Sequence, residues 1–383
     1  MTRRGARRLG FWAFIDWPLV IAAVMLSGLG LVTMYSFGAE NTFFDHQMIW
    51  LALAFGVFVI ASMLDYRFLR RSWPVSIFYG IGIVVLALVH VLGSVALGAR
   101  SRFNVGIFAI QPSDFMMLIL IIVLAKYFAR RHMDIAQFRH IFISGVYAAI
   151  PLLLILLQPD LGSAIILASI WLGMVMVSGI SKKHLLIVTI GALVVGGGMW
   201  SYGLHGYQKQ RVLTFLHPLA DIQGTGYNAY QSIIAIGAGK LVGRGIGYGT
   251  QSKLRFLPEY QTDFIFAAFA EEWGLLGVLL LFGLYIIIVW RILLISIHGG
   301  SNFETLFGVG LTSLIMSHFI VHAGINLGLL PVTGTTIPFM SYGGSHLIVE
   351  YLGLGMLMGM RRYARVAQPD MVKEEFIPTS VSV

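Results

Sequence analysis

The sequence predicts an all-α polytopic membrane protein with about ten transmembrane helices. Hydrophobic residues make up 57% of the 383 and charged residues only 11%, whereas a soluble domain is nearer one quarter charged. Mean hydropathy is +0.83. Runs of about 20 apolar residues recur from end to end, each long enough for a helix to cross a bilayer. These runs do not alternate polar and apolar positions, which excludes a membrane β-barrel. There is no cysteine, so disulfides and thiolate chemistry are excluded. The formal net charge of +9 sits mostly in the loops that flank the spans and is not a nucleic-acid signature.

The spans follow in order. Arg3, Arg4, Arg7 and Arg8 precede the first apolar run, residues 14–37. That run is long enough to span, so it reads as a helix and not a cleavable leader. The second run, 46–64, ends at Arg67, Arg70 and Arg71; the third, 74–92, leads into a short loop holding Arg100 and Arg102. The fourth, 112–128, returns to Arg130, Arg131 and His132. A tight pair follows, 142–157 and 163–180, joined by Gln158-Pro-Asp-Leu-Gly162 and closed by Lys182 and Lys183. The seventh run is 184–202, and the eighth, 264–290, meets Arg291. The ninth is 305–327, and the tenth, 346–360, ends at Arg361, Arg362 and Arg365. Short basic loops mark the cytoplasmic side, so both termini are predicted inside. Residues 1–367 read as one transmembrane domain, and the polar tail 368–383 is expected to be disordered.

The segment 204–263 differs in composition from everything around it. It is a large extracytoplasmic loop between helices 7 and 8, with Lys209, Arg211, Lys240, Arg244, Lys253 and Arg255 against Asp221, Glu259 and Asp263. Asp263 stands where polar sequence gives way to Phe-Ile-Phe-Ala. A partly desolvated carboxylate there suits a general base; equally, Thr262 or Asp263 caps the eighth helix. Glu271 and Glu272 lie inside that span, where acids are costly and functional unless paired with a neighbouring Arg or His. Asp263 and Glu271 are eight residues apart and share a helix face. His318, His322 and Asn326 form a polar stripe at i, i+4, i+8, read as interhelical hydrogen bonding in preference to a metal site. Gly243-Arg-Gly-Ile-Gly-Tyr-Gly249 lacks the setting of a nucleotide phosphate loop. It is either a solvated loop or, with Arg244, Lys253 and Arg255, a pyrophosphate cradle. Arg100 and Arg102 depart from the inside bias and suit lipid phosphates.

Taken together, these segments resemble the SEDS family of bacterial membrane proteins (shape, elongation, division, sporulation), and within it the elongation-type, RodA-like branch. The carriers span nearly the whole chain. They are Ile15-Asp-Trp-Pro18, Gln111-Pro-Ser-Asp114, Gln158-Pro-Asp-Leu-Gly162 and Tyr207-Gln-Lys-Gln-Arg-Val212. Further on come Gln231-Ser-Ile-Ile-Ala-Ile-Gly237, Gly249-Thr-Gln-Ser252, Phe256-Leu-Pro-Glu259, Thr262-Asp-Phe-Ile-Phe-Ala267 and Ser341-Tyr-Gly-Gly-Ser345.

The resemblance implies a peptidoglycan glycosyltransferase of the cytoplasmic membrane. Such proteins polymerise lipid II, a disaccharide-pentapeptide on undecaprenyl pyrophosphate, beside a class B penicillin-binding protein that crosslinks the glycan. It implies Asp263 as the catalytic base and Arg102, Asp114, Asp160, Glu259 and Ser345 as matching family positions; Arg211 and Arg255 are further candidates for holding the pyrophosphate. The chain departs from the family at three places: Met117 where lysine is usual, Tyr260-Gln261 in the loop motif, and His346 where a small residue is usual. Arg100 and His346 are the candidates to replace the missing lysine cation. A divalent cation, Mg²⁺ or Mn²⁺, is compatible with the chemistry, although no Asp-x-Asp pair is present. Two alternatives from other classes remain: a lipid II flippase, and a non-catalytic scaffold for the penicillin-binding protein.

Overall fold

A computed structural model describes residues 14–37, 42–96, 99–105, 108–130, 138–203, 206–216, 226–254 and 256–367. The predicted spans appear as ten long helices among these residues. They are α1 (Trp17–Tyr35), α2 (Thr42–Met63), α3 (Ser72–Leu92), α4 (Pro112–Ala129), α5 (Phe138–Leu157), α6 (Leu161–Val177) and α7 (Lys182–Gly198), followed after the long loop by three more. The loop holds α8 (Gly206–Leu216), α9 (Tyr227–Gly239) and the single turn α10 (Thr250–Lys253). The last three long helices are α11 (Ile265–Ile297), α12 (Asn302–Asn326) and α13 (Gly344–Ala367). Eight helices among the described residues are long and apolar enough to cross a membrane, and α6 is a shorter apolar helix. This is an integral membrane protein. The tail at 368–383 lies outside the described residues.

α4 is the central post, with nearly every side chain from Pro112 to Phe128 buried against α3, α5, α6, α12 and α13. α7 lies at the margin with no buried residue. At the end of the bundle where α1 begins, the buried Asp16 caps α1 through the Leu19 N–H at 3.3 Å. The same carboxylate pairs with Arg291 of α11 and, at 2.8 Å, with Arg361 of α13, so one acid ties three helices.

Two regions differ from expectation. The loop after α3 is a small antiparallel sheet of β1 (Ser94–Ala96), β2 (Ala99–Val105) and β3 (Phe108–Ile110), with Ser94 opposite Arg102 and Phe103 opposite Ile110. Strands of three residues leave almost no periodic signal in a sequence. The second difference is the glycine-rich segment 243–249, whose backbone packs into α11 while Ile246 and Tyr248 stay exposed. α11 breaks at Gly274 (φ 65, ψ −166), and the segment fills the break. The Leu275 and Leu276 N–H groups donate to the Lys240 and Leu241 carbonyls at 2.9 and 3.1 Å. In return the Glu271 and Glu272 carbonyls accept from Arg244 and Gly245, both at 3.0 Å.

The two acids complete this interlock. The Glu271 carboxylate accepts from the Thr250 N–H at 2.8 Å, the Gln251 N–H at 3.2 Å and the Thr250 hydroxyl at 3.0 Å; Glu272 accepts from the Gly247 N–H at 3.0 Å. Within the segment the Arg244 and Gly245 N–H groups thus meet backbone carbonyls and the Gly247 N–H meets a carboxylate. Broken helical backbone at membrane depth is tolerated only where its polar groups are satisfied by other protein groups, and here they are.

The close approach requires glycine. A Cβ on Gly243 (φ +84) would lie 2.0 Å from the Glu272 carbonyl oxygen. Gly243→Ala is expected to cost about 2 kcal/mol or more of stability, read as a lowered thermal midpoint. Gly283→Ala, also in α11 but with nothing within 4 Å of the new methyl, should leave the midpoint unchanged or raise it. Equal midpoints for the two variants would contradict the interlock.

Candidate active site

A cavity of about 230 Å³ opens at the end of the bundle where α4, α6, α11 and α13 begin. Gln111 and Asp114 reach it from α4, Ser163 from α6, and Gly344, Ser345 and His346 from α13. Arg102 leans in from β2, and the turn holding Glu259, Gln261, Thr262 and Asp263 overhangs it. Phe43 and Trp50 of α2 form an aromatic wall. Gly344 packs so closely on that wall that a Cβ would lie 1.9 Å from the Trp50 ring.

The turn that carries Asp263 is fastened on several sides. Its Phe264 and Thr262 N–H groups donate to the Glu259 carbonyl, both at 3.1 Å. The Tyr342 N–H donates to the Gln261 carbonyl at 2.9 Å, and the Ser341 hydroxyl to the Thr262 carbonyl at 3.0 Å. From α12, the Asn326 amide donates to the Asp263 carbonyl at 2.9 Å and accepts from the Ala267 N–H at 3.2 Å. The helix cap expected of Thr262 or Asp263 is thus supplied by Asn326 of another helix. No side chain of the turn caps α11, and the Asp263 carboxylate is left facing the cavity.

Burial raises the Asp263 pKa to about 7, and the nearby Glu259 pushes the same way. Arg102 and Arg211 oppose this, and Asp160 adds a smaller upward push. Low dielectric plus a like charge outweighs two cations. Asp160 itself caps α6: it accepts from the Ser163 N–H at 3.0 Å, the Ser163 hydroxyl at 2.7 Å and the Gln111 amide at 3.1 Å. Burial raises its pKa, and the Ser163 bonds restrain that shift.

Below the carboxylate, a second cluster joins α4 to α13. The Ser345 hydroxyl donates to Asp114 at 2.8 Å. His346 lies 3.9 Å from the other Asp114 oxygen and 2.8 Å from Glu350. The second Glu350 oxygen accepts from the Phe339 N–H at 2.8 Å. The His318 ring lies against that of His346, centroids 4.5 Å apart.

Residues 9–366 match the sequence profile of the FtsW/RodA/SpoVE proteins, described as cell cycle proteins. The chain belongs to this family. The stage V sporulation protein E of Bacillus subtilis is 34% identical over 365 residues, covering 91% of this chain and 98% of its own. Peptidoglycan glycosyltransferase MrdB of Escherichia coli K12 is 33% identical over 348 residues, covering 91% of this chain and 93% of its own. A solved chain from work on the structural coordination of polymerization and crosslinking by a peptidoglycan synthase complex superimposes with a TM-score of 0.79. It is 31% identical and covers 91% of this chain and 98% of that one.

In this FtsW/RodA/SpoVE protein, five of the residues picked from the sequence line one cavity: Arg102, Asp114, Glu259, Asp263 and Ser345. Asp160 sits behind them, beside Ser163 and Gln111. Arg211 lies on α8 in a separate small groove, its guanidinium 3.4 Å from the Val332 carbonyl, and its charge lowers the Asp263 pKa. Arg255 lies outside the described residues, as does the Arg100 side chain. Glu271 does not share the cavity with Asp263, despite the eight-residue spacing. The His318–His322–Asn326 stripe divides its work: His318 faces the cavity, His322 bonds the Thr335 carbonyl at 2.7 Å, and Asn326 clamps α11.

Sequence reasoning missed the aromatic wall and Gln47, whose amide brackets residues 341 and 343 at 3.0 and 3.3 Å. A glutamine inside an apolar span was the available signal.

A carboxyl with a folded pKa near 7 against an ordinary value of 3.8 costs stability once ionised. The stability tied to its neutral form is complete below about pH 4 and is lost as pH rises through about 7. Asp263→Asn removes that loss. Its gain in thermal midpoint over the native chain should grow between about pH 4 and pH 7 and level off above, whereas a gain that does not vary with pH would contradict the raised pKa.

Proposed function

We propose that this protein is a peptidoglycan glycosyltransferase that polymerises lipid II into glycan strands at the outer face of the bacterial cytoplasmic membrane during cell elongation. Both termini lie in the cytoplasm, and a class B penicillin-binding protein works beside it. The observation that carries the reading is the Asp263 carboxylate, held in a cavity with Arg102 and poised near pH 7. A general base works best when its pKa is near the working pH.

Asp263 takes the proton of the acceptor GlcNAc 4-hydroxyl as that oxygen attacks C1 of the donor MurNAc. The C1–oxygen bond to undecaprenyl pyrophosphate breaks, and the electron pair leaves with the pyrophosphate. The donor anomer is inverted. Arg102 faces the developing negative charge, with Arg211 adding longer-range positive potential. Ser345 and Glu259 shape the cavity floor and roof. His346, beside Asp114, takes the place of the cation that Met117 cannot supply. Among the described residues no group of three His, Cys, Asp or Glu side chains is arranged to hold a metal ion.

The flippase alternative needs one polar path across the bilayer. Glu271 and Glu272 instead bond the loop that fills the α11 break, apart from the cavity.

Purified protein with labelled lipid II tests the proposal. Polymerisation should rise with pH through about 7 as Asp263 ionises. Asp263→Asn should lower the rate at least ~100-fold, and Asp263→Glu should retain a measurable fraction. Polymerisation by Asp263→Asn at the native rate would rule out the base role. Native protein that activates its crosslinking partner but never makes polymer would favour the scaffold.

A further inference from the structure

The end of the bundle opposite the Asp263 cavity has a second opening. α4 begins beside that cavity, and Lys126 lies twelve residues beyond Asp114, about 18 Å at the rise of an α-helix. Here a cavity of about 340 Å³ lies between α3, α4 and α5, bordered by Ser72, Ser76, Tyr79, Lys126, Tyr127 and Arg130. A neighbouring cavity of about 270 Å³, reaching Arg70 and the start of α12, shares Lys126 and Arg130. The two openings meet at these two cations.

Lys126 is only 8% exposed. Its ammonium donates to the Leu69 carbonyl at 3.2 Å and to the Arg70 carbonyl. Those bonds use two of its three N–H donors and supply dipoles, not charge. Neither Lys126 nor Arg130 has a carboxylate partner among the described residues. The neighbouring basic residues do: Arg70 pairs with Glu304 at 2.8 Å and Arg67 with Asp65. A buried cation without a counter-charge is unfavourable, and an anion in this cavity would relieve it.

The surroundings indicate which anion. α3 and α5, the helices that border the cavity, also carry exposed apolar side chains, Phe78 at 40%, Phe142 at 64% and Val146 at 43%. Trp73, 64% exposed at the start of α3, fits the headgroup level where aromatic rings gather. A ligand that places a phosphate between Lys126 and Arg130 and lays hydrocarbon chains against these faces matches both halves of the site.

We propose that Lys126 and Arg130 form a binding site for the phosphodiester headgroup of an anionic phospholipid, at the opposite end of the bundle from the Asp263 cavity. The phosphate supplies a counter-charge that no described carboxylate gives Lys126. It also braces the turn Tyr66–Arg70, whose carbonyls Lys126 already holds. The site is independent of the reaction proposed for Asp263, because its readout is lipid binding.

The test uses the purified full chain in neutral detergent, with native mass spectrometry and thermal melting. Phosphatidylglycerol should stay bound and raise the thermal midpoint, while phosphatidylcholine should do neither. Arg130→Gln, at an exposed position that leaves the packing intact, should weaken phosphatidylglycerol binding at least tenfold, and Lys126→Met should weaken it further. Arg67→Gln, which removes an exposed and already paired arginine nearby, should bind as the native chain does. Retention of phosphatidylglycerol by Arg130→Gln at native strength would overturn the proposal, as would an equal loss in Arg67→Gln. A midpoint shift reproduced in full by inorganic phosphate would also overturn it, because the ligand would then be a soluble anion.

Discussion

Asn326 is wholly buried at the end of α12, and its amide is satisfied on every side. Its NH₂ donates to the carbonyls of Asp263 and His322, both at 2.9 Å, and its oxygen accepts from the Ala267 N–H at 3.2 Å. The Ser232 hydroxyl of α9 donates to its backbone carbonyl at 2.8 Å. Three helices therefore converge on one side chain. A helix start needs an acceptor for its first N–H groups, and a local Ser, Thr, Asp or Asn is the usual choice. Here the acceptor comes from another helix. The nearest acid, Asp263, is spared that task and turns to the cavity.

The same division of labour explains the other acids near the membrane. Glu271 and Glu272 look like a continuation of the site along α11, yet they bond the backbone that fills the break at Gly274. Asp160 looks like a ligand group, yet it caps α6 and orients Gln111. Asp16 joins α1 to α11 and α13. With those carboxylates committed to structure, Asp263, Glu259 and Asp114 are the acids that border the cavity. Arg102 is the arginine beside them. Burial, with the like charge of Glu259 only partly offset by Arg102 and Arg211, keeps the Asp263 proton near neutrality.

The long helices were legible in the sequence because bilayer thickness imposes a length on each apolar run. Asp263 was legible because it stands at the polar–apolar boundary, and Arg102 because it breaks the positive-inside pattern. What stayed hidden depends on partners distant in the chain. Strands of three residues carry no pattern. α9 is too short for a span and sits in polar sequence, so its packing on α11 left no trace. Phe43 and Trp50 belong to a helix that is apolar nearly all round, where Gln47 alone hints at the side that faces inward. The glycine-rich segment was read as a possible anion cradle for a sound reason: backbone N–H groups bind carboxylates and phosphates by the same physics. Only the fold reveals that the Glu271 and Glu272 carbonyls, and the Glu272 carboxylate, take three of them.

Met117 and His346 illustrate a limit of reading one position at a time. Met117 is buried one turn along α4 from Asp114, where it carries no charge. His346 reaches the same acid from α13. Asp114 thus meets a neutral side chain on its own helix and an imidazole from the facing one. The claim that matters most is that the fold holds the Asp263 carboxyl in a site where its proton leaves near neutral pH. Isotope-edited infrared titration of the Asp263 carboxyl in the purified protein measures this directly. The account predicts a pKa of about 7, and a value near the ordinary 3.8 would contradict it.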